Sequence, residues 1–164
     1  MSDATGVQAR LNEIARIAVA LEAQTGCPAP MMIAQWAVES RWGSKPVGHA
    51  NYFGMKANSR DPKSRIVVTK EIVDGKPVEE KLAFADYDSL ADSARDYAFL
   101  ITEGEPYQPA WQNYLKTHDL NELITAVATE YATDPTYAKL VREISGQANV
   151  LGAIKVARAI NSAA

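Results

Sequence analysis

Residues 31–44 read MMIAQWAVESRWGS, a run that is apolar almost throughout until Glu39 interrupts it between Trp36 and Trp42. A carboxylate is poorly hydrated in such company. The run predicts a helix from Met31 to Trp42 that is apolar around most of its circumference, with Gly43 as its stop. Glu39 then falls in the last turn, where the partial negative charge of the helix end opposes ionisation. Trp36 and Trp42 stand three residues to either side, project from a similar face, and take water away from the carboxyl group. Both effects raise its pKa. A carboxylic acid that keeps its proton near neutral pH is the group glycoside hydrolysis needs to protonate a leaving oxygen. A glutamate here also reads as a surface residue, or as a buried one paired with Arg41 or Lys45, and the residues alone leave these readings open.

A second cluster follows at once. The segment ANYFGMKA supplies Asn51, Tyr52, Phe53 and Lys56. That mix suits a sugar, whose C–H faces stack on aromatic rings while its hydroxyls take amide and charged partners. Gly54 there permits close backbone approach. Trp42, Tyr107 and Trp111 could extend the aromatic platform, although Phe53 and Trp111 read rather as ordinary core, and Tyr52 and Trp42 as groove residues. Other chemistries are poorly supplied. Cys27 is the only cysteine, lies in the turn-like TGCPAP, and reads as a plain buried thiol. With only His49 and His118 besides, neither a zinc site nor a Cys-His pair is expected, and no cofactor is called for.

The elements that must hold these groups are mostly helices. Leu11, Ile14, Ala15, Ala18 and Leu21 recur at helical spacing, so residues 7–24 are predicted to form an amphipathic helix, ended by Gly26, Pro28 and Pro30. The β-branched or alternating runs RIVVTKEIV and KPVEEKLAF flank Asp74-Gly75, the dipeptide of a two-residue type I′ turn, and predict a β-hairpin over 65–73 and 76–85. Ser89 and Asp92 form a capping-box pattern ahead of Leu90, Ala94, Tyr97, Ala98 and Ile101. Leu120, Leu123, Ile124, Val127, Ala128 and Tyr131 share a face of the next helix. Asp134-Pro135 opens a short one through Tyr137, Leu140, Val141 and Ile144, and residues 147–161 form a helical tail. The expectation is one α+β domain over 1–164 with five or six helices, and a small hairpin lobe at about 60–86 beside a groove.

Composition narrows the partners. At 164 residues, 47% apolar and 23% charged, the chain suits one soluble globular domain. A net charge of −3 argues against a nucleic-acid partner and offers no polybasic patch for a membrane. The first apolar segment, LNEIARIAVALEA, is broken by Glu13, Arg16 and Glu22, so neither a signal peptide nor an inserted span is expected.

AQWAVESRWGS followed by NYFGMKA resembles the glucosaminidase family of peptidoglycan hydrolases, glycoside hydrolase family 73. The likeness continues in VTKEIVDGK, DYDSLADSARDYAFLI and YATDPTYAKLV, in the family's order over about residues 30–145. It implies a lysozyme-like helical lobe and a hairpin lobe flanking a glycan-binding groove. It implies an endo-β-N-acetylglucosaminidase activity on the alternating glycan backbone, with no metal or cofactor. Carried over by position, Glu39 matches the general acid, and Glu71 the second carboxylate that activates water or steadies an oxocarbenium-like transition state. Tyr131 matches an aromatic near the acid, and Asp96 a family aspartate. Read without the resemblance, Glu71 is a solvated strand residue beside Lys70 or Lys81, Tyr131 completes an apolar stripe, and Asp96 anchors a loop. Two positions depart from the family: Arg41, where glycine is frequent, and Glu130, where a small residue is common.

The rival expectations are a lysozyme or lytic transglycosylase acting at muramic acid, and a non-catalytic glycan-binding or assembly module. Without an export signal the chain is expected to be made in the cytoplasm. It would reach the periplasm or wall by phage lysis or contact-dependent secretion, as a monomer, with an immunity protein plugging the groove in the effector case.

Overall fold

The computed structural model describes residues 3–58 and 64–163, apart from the side chains of residues 64–69 and 71. Helix α1 (Ala4–Thr25) begins at Asp3, whose carboxylate accepts from the Gly6 amide, and ends where Gly26 turns left-handed at φ 83°. Glu22 in its last turn reaches the next helix: Oε2 accepts from the Ala29 amide at 2.7 Å, capping α2 (Ala29–Ser40), while Oε1 meets Arg158 at 2.8 Å. Between the two helices Cys27 is fully buried, and burial pushes its thiol far up, so it is an inert core group.

The hairpin forms as the Asp-Gly dipeptide requires. Strands β1 (Ser64–Val73) and β2 (Lys76–Ala85) pair antiparallel with Val73 opposite Lys76, and Asp74 and Gly75 take φ of 50° and 75°. Most of β2 is exposed, so the hairpin stands out from the body. Its root does not: Ala85 N–H donates to the Met55 carbonyl and Ala57 N–H to that of Ala83, so residues 55–57 run along β2. Five more helices follow: α3 (Leu90–Glu103), α4 (Gln108–Thr117), α5 (Leu120–Tyr131), α6 (Tyr137–Ser145) and α7 (Ala148–Ala163), with a 3-10 turn at Glu105–Tyr107. Ser89 caps α3 by accepting from the Asp92 amide.

Among the described residues the sum is mostly helical with one two-stranded sheet, the α+β class that the periodicities predict. The helical content exceeds the expectation by α4, which had no predicted counterpart. In the core, α2 packs against α1, α3, α6 and α7, which is why nine of its twelve residues are buried. None of the helices described is long and apolar enough to cross a membrane.

Among the polar residues built into this interior is Asn51. It is 1% exposed; its Nδ2 donates to the Met55 and Ala85 carbonyls, at 2.8 and 3.0 Å, and its Oδ1 accepts from the Phe53 and Met55 amides. It therefore shapes the loop at Gly54 and ties it to the hairpin root. Asn51→Ala leaves four buried backbone groups without these partners, and is expected to destabilise the fold by roughly 3 kcal/mol in urea unfolding.

Candidate active site

Helix α2 delivers Glu39 in its last turn, as expected, but the helix ends two residues earlier than predicted. Arg41, Trp42 and Gly43 have φ of 49°, 55° and 80°, three left-handed residues in succession. Ser40 makes this possible: its buried hydroxyl donates to the Trp36 carbonyl at 2.6 Å and accepts from the Gly43 amide at 2.9 Å. Arg10 of α1 holds the Trp42 carbonyl at 2.9 Å. Trp42 thus leaves the helix. The two indoles meet edge to face, 6.2 Å between centroids, with Trp36 wholly buried. This corrects the expected picture of Trp36 and Trp42 lining one helical face around Glu39.

Two further groups are set against the carboxyl. Tyr137, at the start of α6, donates its hydroxyl to Glu39 Oε1 at 2.8 Å. The other oxygen, Oε2, lies against Gly54, where an added Cβ would stand 2.6 Å from it. Burial raises the Glu39 pKa above the usual carboxylate value, and the Tyr137 bond opposes that by favouring the ionised form. The predicted direction holds, with burial as its cause. Tyr137→Phe removes the opposing contribution. The pH above which the acid is lost, read as the alkaline limb of kcat/KM, is expected to move to higher pH in this variant.

The remaining candidates fall into groups. Tyr131 closes α5 with its ring parallel to that of Tyr137, 6.2 Å apart at 2°, and its hydroxyl donates to the Phe53 carbonyl. It therefore braces the Gly54 loop, and its phenol is held protonated by burial and by the charge of Glu39. Lys56, Tyr107, Glu130 and Tyr131 line a cleft of about 290 Å³ with Gly54, which is shared between this cleft and Glu39. Burial and the nearby Glu130 push the Tyr107 phenol up to about 12. Tyr52 and Trp42 are half-buried. Phe53 is fully buried and stacked on Tyr97 at 4.5 Å, and Asn51 is committed to backbone, so both contribute to the shape of the site from the interior rather than through an open face. Asp96 accepts from the Tyr87 hydroxyl at 2.5 Å, linking α3 to the segment after β2. Glu71 sits on β1 opposite Val78, and its side chain lies outside the described residues.

Tyr137 and Gln35 were not among the expected site residues. Tyr137 read as part of the apolar stripe of α6, 98 residues from Glu39. Gln35 carried a usable signal: an amide in a helix apolar on all sides must find partners inside.

Comparisons with known proteins place the chain among glycan hydrolases of the cell wall by sequence and fold. The family model described as mannosyl-glycoprotein endo-beta-N-acetylglucosaminidase matches residues 15–150. The chain is 32% identical over 139 residues to the peptidoglycan hydrolase FlgJ of Pseudomonas aeruginosa, covering 80% of this chain and 34% of that one. It is 32% identical over 128 residues to a probable N-acetylmuramidase of Lactococcus lactis, covering 73% and 29% respectively. The chain thus spans about a third of the length of these curated relatives. Among solved structures, the catalytic domain of the autolysin Auto from Listeria monocytogenes superposes with a TM-score of 0.72 at 28% identity, over 93% of this chain and 90% of that one.

Proposed function

The chain belongs to the glucosaminidase family, glycoside hydrolase family 73, and from that premise we propose that it is a peptidoglycan hydrolase cleaving the glycan backbone after N-acetylglucosamine. The observation that carries this reading is the Glu39 carboxyl, desolvated at a helix end, bonded by Tyr137 on one oxygen and set against the Gly54 backbone on the other. Glu39 protonates the departing glycosidic oxygen. The anomeric side is served by Glu71, by the substrate's own N-acetyl group, or by both. Tyr52, Trp42, Lys56 and Tyr107 receive the sugar rings, and the place of action is the cell wall.

The names of the relatives support a second specificity, since the Lactococcus lactis protein is called a probable N-acetylmuramidase. Digestion of purified sacculi followed by mass spectrometry separates the two. New reducing ends on N-acetylglucosamine are the expected result. Muramic or anhydro-muramic ends would move the cut to the other linkage, and binding without turnover would make the domain a glycan-binding module. Glu71→Gln in the same assay, expected to lower the rate about a hundredfold, tests the second carboxylate.

A further inference from the structure

Helix α2 carries two polar side chains one turn apart that reach toward the same tyrosine. Gln35 is 1% exposed, and its two ends are used differently. Its Nε2 donates to the Tyr137 hydroxyl oxygen at 3.1 Å, and its Oε1 accepts from the Tyr97 hydroxyl. Tyr137 in turn donates to Glu39 Oε1 at 2.8 Å. Four side chains from α2, α3 and α6 therefore form one hydrogen-bond chain ending on the carboxyl group.

The chain has a single direction. Tyr97 is fully buried, its ring is stacked on Phe53 at 4.5 Å and 20°, and burial holds its phenol protonated. That proton must go to an acceptor, and Gln35 Oε1 takes it. If the amide turned over, the NH₂ group would face Tyr97 and strand its proton. The amide oxygen would then face Tyr137 and draw its proton away from Glu39. The seated Tyr97 hydroxyl prevents this. With the amide fixed, the Tyr137 oxygen is occupied by a donor and its own proton is available only to Glu39.

We propose that Gln35 and Tyr97 are positioning residues for the acid: they fix the Tyr137 hydroxyl as a donor to Oε1, so that the transferable proton of Glu39 stands on Oε2, the oxygen beside Gly54. This rests on the reading of Glu39 as the acid given above. As the proton leaves Oε2 for the glycosidic oxygen, negative charge grows on the carboxylate and the bond from Tyr137 becomes charge-assisted. The amide behind it polarises the phenol in the same sense. These dipoles are in place before the charge develops, so no reorganisation is needed.

The test is a double-mutant cycle on solubilised glycan strands. Gln35→Met and Tyr97→Phe are each expected to lower kcat about tenfold with KM unchanged. In the Tyr137→Phe background neither should lower kcat further, because the path to Glu39 is already cut. Additive losses in the double variants, or losses confined to KM, overturn the proposal. Tyr97→Phe keeps the ring that stacks on Phe53, so it serves if Gln35→Met does not fold, with thermal melts run on every variant. A wild-type protein without activity, or a Glu39→Gln protein with full activity, removes the acid itself and this inference with it. An inactive Glu39→Gln protein combined with additive double variants removes this inference alone.

Discussion

Glu39→Gln protein is expected to fold normally and to lose about a thousandfold in the rate of sacculus hydrolysis. The amide keeps an oxygen for the Tyr137 hydroxyl and nearly the same shape beside Gly54, so what disappears is the proton alone. The same variant carries a second expectation of opposite sign. Burial raises the Glu39 pKa above its ordinary value, so between those two values the folded state binds more protons than the unfolded one. Stability then falls as pH rises through that window, and the loss persists above it. Glutamine has no charge to desolvate. The variant should therefore melt higher than the wild type at neutral pH, and the difference should vanish below the ordinary carboxylate pKa. Circular dichroism melts at several pH values check this. A neutral-pH variant less stable than the wild type would mean that the carboxylate is there for the fold, and a variant with full activity would end its role as acid.

The placing of Glu39 at the end of a buried helix was legible because it depends on local rules. An apolar run broken by one carboxylate near its end gives a buried helix and a helix-end charge, and both survive in α2. The hairpin was legible for the same reason, since Asp74 and Gly75 set its turn without help from the core. Helix α4 was not. Its apolar face, Ala110, Trp111, Tyr114 and Leu115, is short, and of these only Trp111 is buried, so it offers a weak signal to read. The early end of α2 was hidden too, because it depends on Ser40 bonding Gly43 and on Arg10, from another helix, holding Trp42. The partners of Glu39 were the least legible part. Tyr137 and Gly54 reach it from distant segments, and only the packing of α6 and of the loop fixed by Asn51 brings them there. Local chemistry singled out Glu39; tertiary packing chose its surroundings.

Gly54→Ala tests those surroundings most directly, and is expected to lower hydrolysis about a hundredfold. Two separate effects meet at this position. The backbone is left-handed at φ 62°, where a Cβ is strained by about 1 kcal/mol. The new methyl group would also stand 2.6 Å from Glu39 Oε2 and 3.3 Å from its carboxyl carbon, well inside contact. The carboxyl must turn away, losing the Tyr137 bond, or the loop must shift against Asn51 and Tyr131. With Glu39 as the proposed acid, either movement displaces its proton from the place where a glycosidic oxygen would receive it.

Gly75→Ala separates the two effects. It has a comparable φ of 75°, yet its added Cβ meets nothing within 4 Å. It should show the conformational strain as a small drop in melting temperature while hydrolysing sacculi near the wild-type rate. Gly54→Ala should show a comparable or somewhat larger drop in stability and a far greater loss of kcat. If both variants lose stability alike and both keep their activity, contact between the Gly54 backbone and the carboxyl has no part in catalysis. If Gly54→Ala alone is inactive while remaining folded, the space left by one missing methyl group is what lets the acid face its substrate.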